Sequence, residues 1–211
     1  MELTYLLYPD IEPIDLAALG VISMGRRIVP ELSYRTVAAT KAPVAMSNGL
    51  RVLPDQSFDE VQAVDVLMIP GGPGWKAASV DAAVLAFIRK WRPSAGICSV
   101  CTGAMILAAA GTLDGLTATT KSVVVPPEGS PMDELRNRYE KVEVVDALLV
   151  DTGKVVTGGG VTLCIDTTLH LIARRHGEQA AEEIARIMEY GGARAANAAR
   201  LPNLVVRPQR R

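Results

Sequence analysis

Five residues near the middle of the chain, Ser99-Val100-Cys101-Thr102-Gly103, have the types and spacing of a nucleophile carried on a tight turn. Residues 95–100 form an apolar run that reads as an interior strand, and the small residues of 102–110 read as a helix. With almost nothing between the two, the chain must reverse sharply, as in the G-x-S-x-G elbow that delivers a serine from a strand into a helix. Cys101 stands at the nucleophile position, Gly103 keeps the second glycine, and Ser99 replaces the first with another small residue. Unpaired N–H groups at a helix start favour a thiolate, so a lowered Cys101 pKa is expected. Cys98, inside the strand, and Cys164, in a late helical run, read as packing thiols.

A sulfur that attacks carbon needs a partner to move protons. The chain has two histidines, His170 and His176, both in or beside the end of a late helix next to Arg174 and Arg175. Neither reads as catalytic, which weakens a Cys-His arrangement. Carboxyl groups are the alternative: Asp10, Glu12 and Asp15 follow the first strand. Asp15 opens the first helix, where an N-terminal cap or dipole partner is an equal reading. The Gly71-Gly72-Pro73-Gly74 loop follows another apolar run. Its glycines let backbone N–H groups approach a ligand, so Gly72, with the N–H of Thr102, is a candidate oxyanion-type hole and Gly71 a candidate substrate contact. No His, Cys and carboxylate cluster has metal-ligand spacing, and neither G-x-G-x-x-G nor G-x-x-x-x-G-K occurs. No metal and no cofactor is expected.

The elements that must position these residues alternate along the chain. Residues 3–7 read as a buried first strand, and 13–24 as a helix with Leu16, Leu19 and Ile22 at helical spacing. A second strand is expected at 33–39, and Asn48-Gly49 marks a turn between short extended runs. Residues 64–69 and 95–100, continuous apolar runs stopped by turn residues, suit interior parallel strands. Helices are expected at 81–91, 102–110, 132–139, 162–175 and 178–189, and further extended runs at 117–120, 142–145 and 154–157. Residues 122–130, with Pro126-Pro127, read as irregular. Strands alternating with helices predict an α/β three-layer sandwich with a mostly parallel central sheet, ligands sitting beyond the carboxyl ends of the strands. Residues 1–190 read as one domain and 191–211 as a surface tail.

Composition is consistent with such a core: 49% of the 211 residues are hydrophobic and 21% charged. The formal net charge of −1 lacks the clustered basic surplus of nucleic-acid binders. The Arg174-Arg175 and Arg210-Arg211 pairs read as solvated helix and tail residues. No secretory signal is recognisable, and the longest apolar stretch, near residues 105–110, is too short to span a bilayer. Three cysteines, an odd number without framework spacing, fit a reducing compartment. The expected setting is the cytoplasm, and the expected partner a small-molecule substrate, with no nucleic acid and no membrane.

Several stretches together resemble the ThiJ/PfpI superfamily, and within it the isonitrile hydratase-like branch. They are Tyr8-Pro9 with Ile14-Asp15-Leu16, Ile69-Pro70-Gly71-Gly72-Pro73-Gly74, Leu85-Ala86-Phe87-Ile88-Arg89 and Ser99-Val100-Cys101-Thr102-Gly103-Ala104. Others are Ala109-Ala110-Gly111-Thr112-Leu113 to Ala118-Thr119-Thr120, Thr157-Gly158-Gly159-Gly160-Val161-Thr162 with Ile165-Asp166, and Met188-Glu189-Tyr190. The resemblance implies a flavodoxin-like sandwich and a homodimer. It makes Cys101 the nucleophile, Asp15 its acid/base partner, Thr102 a neighbour needed for activity and Gly72 an oxyanion-hole contributor. An aspartate at position 15, where sister branches carry glutamate, points to the hydratase branch. Its activity would be hydration of an isonitrile to an N-substituted formamide through a thioimidate on Cys101. Two other uses of the same thiol fit the residues: glyoxalase-like chemistry on 2-oxoaldehydes, and non-enzymatic redox or ligand sensing. Two departures fall near the expected pocket. Lys121-Ser122 follows Thr119-Thr120 where many relatives have His-Trp, and Ala17-Ala18 stands where relatives often carry Thr-Gly.

Overall fold

A computed structural model of the chain describes residues 1–206. Arg210-Arg211 lies outside the described residues. In chain order the strands are β1 (Glu2–Leu6), β2 (Ser33–Ala38), β3 (Val44–Ala45), β4 (Arg51–Val52), β5 (Gln56–Ser57), β6 (Val66–Ile69) and β7 (Gly96–Ser99). They continue with β8 (Thr117–Ala118), β9 (Glu143–Val144), β10 (Leu149–Asp151), β11 (Val155–Gly158) and β12 (Asn203–Val205). The helices are α1 (Ala17–Gly25), α2 (Trp75–Ala78), α3 (Ala82–Trp91), α4 (Gly103–Ala109), α5 (Pro131–Arg138), α6 (Leu163–His176), α7 (Glu178–Ile187) and α8 (Gly191–Arg200).

Eight strands form the central sheet in the order β12-β10-β11-β7-β6-β1-β2-β5. All neighbouring pairs are parallel except β10 with β11. Helices α1, α6 and α7 pack together on one side, and α2, α3 and α5 gather around α4 on the other. This is the expected flavodoxin-like sandwich. The short interior strands are apolar on both faces because helices cover both: Leu3, Tyr5 and Leu6 of β1 and Leu67, Met68 and Ile69 of β6 are fully buried. Burial of each Leu, Ile or Met side chain among these contributes roughly 1.5–3 kcal/mol relative to exposure, which is what holds the unpatterned strands inside. The chain leaves β1 for β2 on one side and later returns to β6 on the other, so the strand order reverses between β1 and β6. The carboxyl ends of β1, β6 and β7 therefore surround a crevice; Gly71 and Cys101 come just past the ends of β6 and β7, and Asp15 lies in the 3₁₀ turn that follows the loop after β1.

Some boundaries differ from expectation for identifiable reasons. The first helix divides into a single 3₁₀ turn, Pro13–Leu16, and then α1. Asn48 and Gly49, with φ of 62° and 89°, make the expected turn between β3 and β4. The runs at 117–120 and 142–145 supply β8 and β9, which pair with each other outside the main sheet. Strand β10 was not expected. It is a buried Leu-Val-Asp segment, and a turn at Gly153 (φ 93°) sets it antiparallel to β11.

The segment after Tyr190, expected as a surface tail, is ordered into α8 and β12. Its Ala and Arg content favours a helix, and the buried carboxyl of Asp166 anchors it. Tyr190 Oη and Asn197 Nδ2 donate to Asp166 Oδ2 at 2.7 and 2.9 Å. Leu201 packs on Leu148, Leu149 and Leu163, and β12 then extends the sheet beside β10. Among the described residues, no helix is long and apolar enough to cross a membrane.

Candidate active site

Cys101 sits between β7 and α4 with a φ of 53°, the left-handed conformation that a sharp strand-to-helix elbow requires. Its backbone is held on both sides. The Cys101 N–H donates to the Gly159 carbonyl at 3.0 Å, and its own carbonyl accepts from Thr120 Oγ1 at 2.8 Å. A strained residue persists when its surroundings over-determine it, and here two loops do so. The thiol faces a cavity of about 560 Å³ lined by Glu12, Gly72, Trp75, Lys76, Lys121 and Glu128, among others.

Asp15 is fully buried and does not cap its helix. The 3₁₀ turn instead aims the carboxyl across to the loop after β6, where Oδ2 accepts the Gly71 N–H at 2.7 Å. Oδ1 is buried without a hydrogen-bond partner among the described residues. Burial, reinforced by nearby Glu12, outweighs the Gly71 hydrogen bond and raises the Asp15 pKa from 3.8 to about 7. A carboxyl poised near neutrality with one free oxygen is suited to take and return a proton.

The thiol does not have the lowered pKa expected from its place at a helix start. Burial pushes Cys101 up to about 12, and the Asp15 carboxylate adds to the rise. The Thr102 N–H, the Lys121 ammonium and the Thr102 hydroxyl pull the other way without prevailing. The helix behind the turn is short, and the sulfur is buried with an anion nearby, so desolvation outweighs the helix start. Resting Cys101 is therefore held as the thiol.

Thr102 joins two of the three loops. Its Oγ1 accepts the Gly72 N–H at 2.9 Å, while its own N–H turns toward the sulfur. The two amides expected to form an oxyanion hole have protein partners in the resting structure, Gly72 on Thr102 Oγ1 and Thr102 on the sulfur, and the Gly71 N–H, expected to contact substrate, is taken by Asp15. Gly72 still lines the cavity. Cys98 and Cys164 are buried free thiols, as read from the sequence, both with pKa values raised by burial. His170 lies elsewhere, at 2.7 Å from Asp151, and His176 sits by the N-terminus.

Three residues of the site were not singled out from sequence. Trp75 opens α2 directly after the glycine loop and walls the cavity. Glu128 reaches the cavity from the irregular segment and pairs with Lys121. Gly160 backs onto the sulfur: a Cβ there would lie 3.2 Å from Cys101 Sγ. The Gly158-Gly159-Gly160 run was the available signal for this last contact, since a side chain at Gly160 would press on both the Lys121 stem and the sulfur.

The sequence pattern of the DJ-1/PfpI family matches residues 16–174. An isonitrile hydratase of Pseudomonas putida is 30% identical over 92% of this chain and 80% of its own length. The HTH-type transcriptional regulator CdhR of Pseudomonas aeruginosa is 28% identical over 85% of the chain, which spans about half (52%) of that regulator. The crystal structure of a ThiJ/PfpI family protein from Pseudomonas syringae superposes with a TM-score of 0.75 at 28% identity, covering 95% of this chain and 86% of that one. With the fold, the elbow cysteine and these relatives in agreement, the chain belongs to the DJ-1/PfpI family.

Proposed function

We propose that this chain is a cysteine-dependent lyase that hydrates an isonitrile to an N-substituted formamide. The observation that carries the reading is Asp15: a buried carboxyl near neutrality, tied at one oxygen to Gly71, without a partner at the other among the described residues, and near enough to Cys101 for its charge to raise the thiol pKa. An isonitrile carbon accepts a nucleophile and then a proton at the same atom, so one thiol and one proton carrier suffice. As Sγ bonds the terminal carbon, the thiol proton passes to Asp15 and from there to that carbon, leaving a thioimidate. Asp15 then takes a proton from water, whose oxygen adds to the same carbon. Collapse of the tetrahedral intermediate breaks the C–S bond, places a proton on nitrogen and returns one to sulfur. The net change is one isonitrile and one water to one formamide. The identity with the Pseudomonas putida isonitrile hydratase supports the same reading.

The test is incubation with a simple alkyl isonitrile, following formamide by NMR and the Cys101 adduct by intact-protein mass. Formamide formation above the Cys101→Ser baseline is expected. Equal rates for wild type and Cys101→Ser would reject the proposal. A redox-sensor role draws less support, since ready oxidation requires thiolate and burial here holds the thiol protonated.

A further inference from the structure

Lys121 and Glu128 are both on the wall of the cavity that Cys101 faces. Lys121 is held in place from behind. It follows the buried Thr119 and Thr120, and Thr120 Oγ1 bonds the Cys101 carbonyl. The Lys121 stem packs on Gly160, where a Cβ would meet Lys121 Cβ at 2.9 Å and Cys101 Sγ at 3.2 Å. The ammonium donates to both carboxylate oxygens of Glu128. The two partners differ in exposure: the Lys121 side chain is 17% exposed and that of Glu128 41%. Glu128 belongs to the loop that also carries the exposed Val123 and Val125. The cation is thus set in the wall beside the nucleophile, and its counter-ion stands at the mouth on an exposed loop. The other charged residues of the cavity wall are Glu12 and Lys76, and Lys76 is exposed beside the Trp75 ring.

We propose that this site selects electrophiles that carry a carboxylate, with Lys121 as the receptor for that anion and Glu128 as a resting counter-ion that the ligand displaces. The inference rests on Cys101 being the reactive thiol and deepens the reading above by naming the class of isonitrile, one bearing an acidic group near the reacting carbon. A half-exposed ion pair contributes little to stability, so exchanging one carboxylate for another costs little. A partly shielded ammonium attracts an anion more strongly than one in bulk water. Once the carboxylate is seated, its position directs the rest of the molecule toward the nearby sulfur. Lys121 also draws the thiol pKa down, so its cationic field reaches Cys101.

Alkylation of Cys101 by iodoacetate and by iodoacetamide separates charge recognition from reactivity. The reagents are similar in size and differ in charge. In both, Sγ forms the bond to carbon as iodide leaves with its electron pair, and the thiol proton is lost to solvent. The ratio of the two rates cancels any change in thiol reactivity that a mutation causes, and peptide mass analysis counts the Cys101 adduct alone. Lys121→Met is expected to lower the iodoacetate-to-iodoacetamide ratio by about threefold or more, the effect of one partly shielded charge pair. Lys121→Arg should stay near wild type, and Glu128→Gln should raise the ratio. A fall short of about threefold in Lys121→Met, or a rise, overturns the proposal. If Lys121→Met fails to fold, Glu128→Gln decides, and a ratio that does not rise overturns it. Absence of formamide from both neutral and carboxylate-bearing isonitriles would sink the hydratase reading while leaving this ratio intact, so the two failures are distinguishable.

Discussion

Asp15→Asn is expected to lower isonitrile turnover by about 10²–10⁴-fold, the usual contribution of a positioned acid/base group, and to make the protein more stable above pH 7. The two effects have one cause. Burial raises the Asp15 pKa from 3.8 to about 7, so the folded protein favours the protonated carboxyl more than the unfolded chain does. Stability from this group is fully present below the unfolded value of 3.8 and is lost as pH rises through about 7. The ionised carboxylate then costs the fold ~4 kcal/mol, at about 1.4 kcal/mol for each pH unit between the two values. Asparagine can still accept the Gly71 N–H through its carbonyl oxygen and carries no charge to bury. Denaturant melts at pH 8 should therefore show Asp15→Asn more stable than wild type, and the gap should close toward pH 4. Wild-type kcat/KM should rise with pH through about 7 as the carboxyl becomes able to accept the thiol proton, and the variant should lack that limb. Cys101 alkylation at pH 9 supplies a further check. Removal of the Asp15 charge lets the thiol pKa fall, so alkylation should hold or increase while turnover collapses. Parallel loss of both would mean that Asp15 supports the geometry of the elbow rather than moving protons.

The candidate site was legible because each of its main parts follows an apolar run ended by turn residues. Asp15 comes after β1, Gly71 after β6 and Cys101 after β7, and a parallel sheet brings such ends together whatever the exact strand boundaries are. What stayed hidden depends on partners distant in sequence. Nothing local marks Glu128 as the residue that meets Lys121. Nothing local shows that the Asp15 carboxyl turns away from its own helix to Gly71. Strand β10 is three residues long and exists through pairing with β11 and β12. Helix α8 depends on Asp166, which lies 31 residues before Asn197. The expected fall in the Cys101 pKa failed for the same reason: a helix start is a local property, whereas burial and the Asp15 charge come from the assembled fold.

Gly103→Ala is expected to destabilise the protein by at least about 3 kcal/mol and to remove Cys101 reactivity from whatever remains folded. Gly103 is the first residue of α4 and lies against the end of β6. A Cβ there would stand 2.1 Å from the Ile69 carbonyl oxygen and 2.8 Å from that of Pro70. Both obstacles are backbone, so no rotamer change relieves them. Overpacking against adaptable side chains already costs about 1–3 kcal/mol, and a backbone clash lies at or beyond the upper end. That is a large share of the ~5–15 kcal/mol holding a typical domain together. The only relief is for α4 to move away from β6, and Cys101 and Thr102 immediately precede that helix. Such a shift would pull Thr102 Oγ1 off the Gly72 N–H and swing Sγ away from Asp15. Gly20→Ala is the matched control. Gly20 lies inside α1 and is exposed, and among the described residues nothing is within 4 Å of its would-be Cβ. There alanine should gain up to about 1 kcal/mol from helix propensity alone. Denaturant melts of the two variants therefore have opposite expected signs. A Gly103→Ala protein as stable as wild type, alkylating at Cys101 at the wild-type rate, would show that the elbow does not need the close approach of α4 to β6.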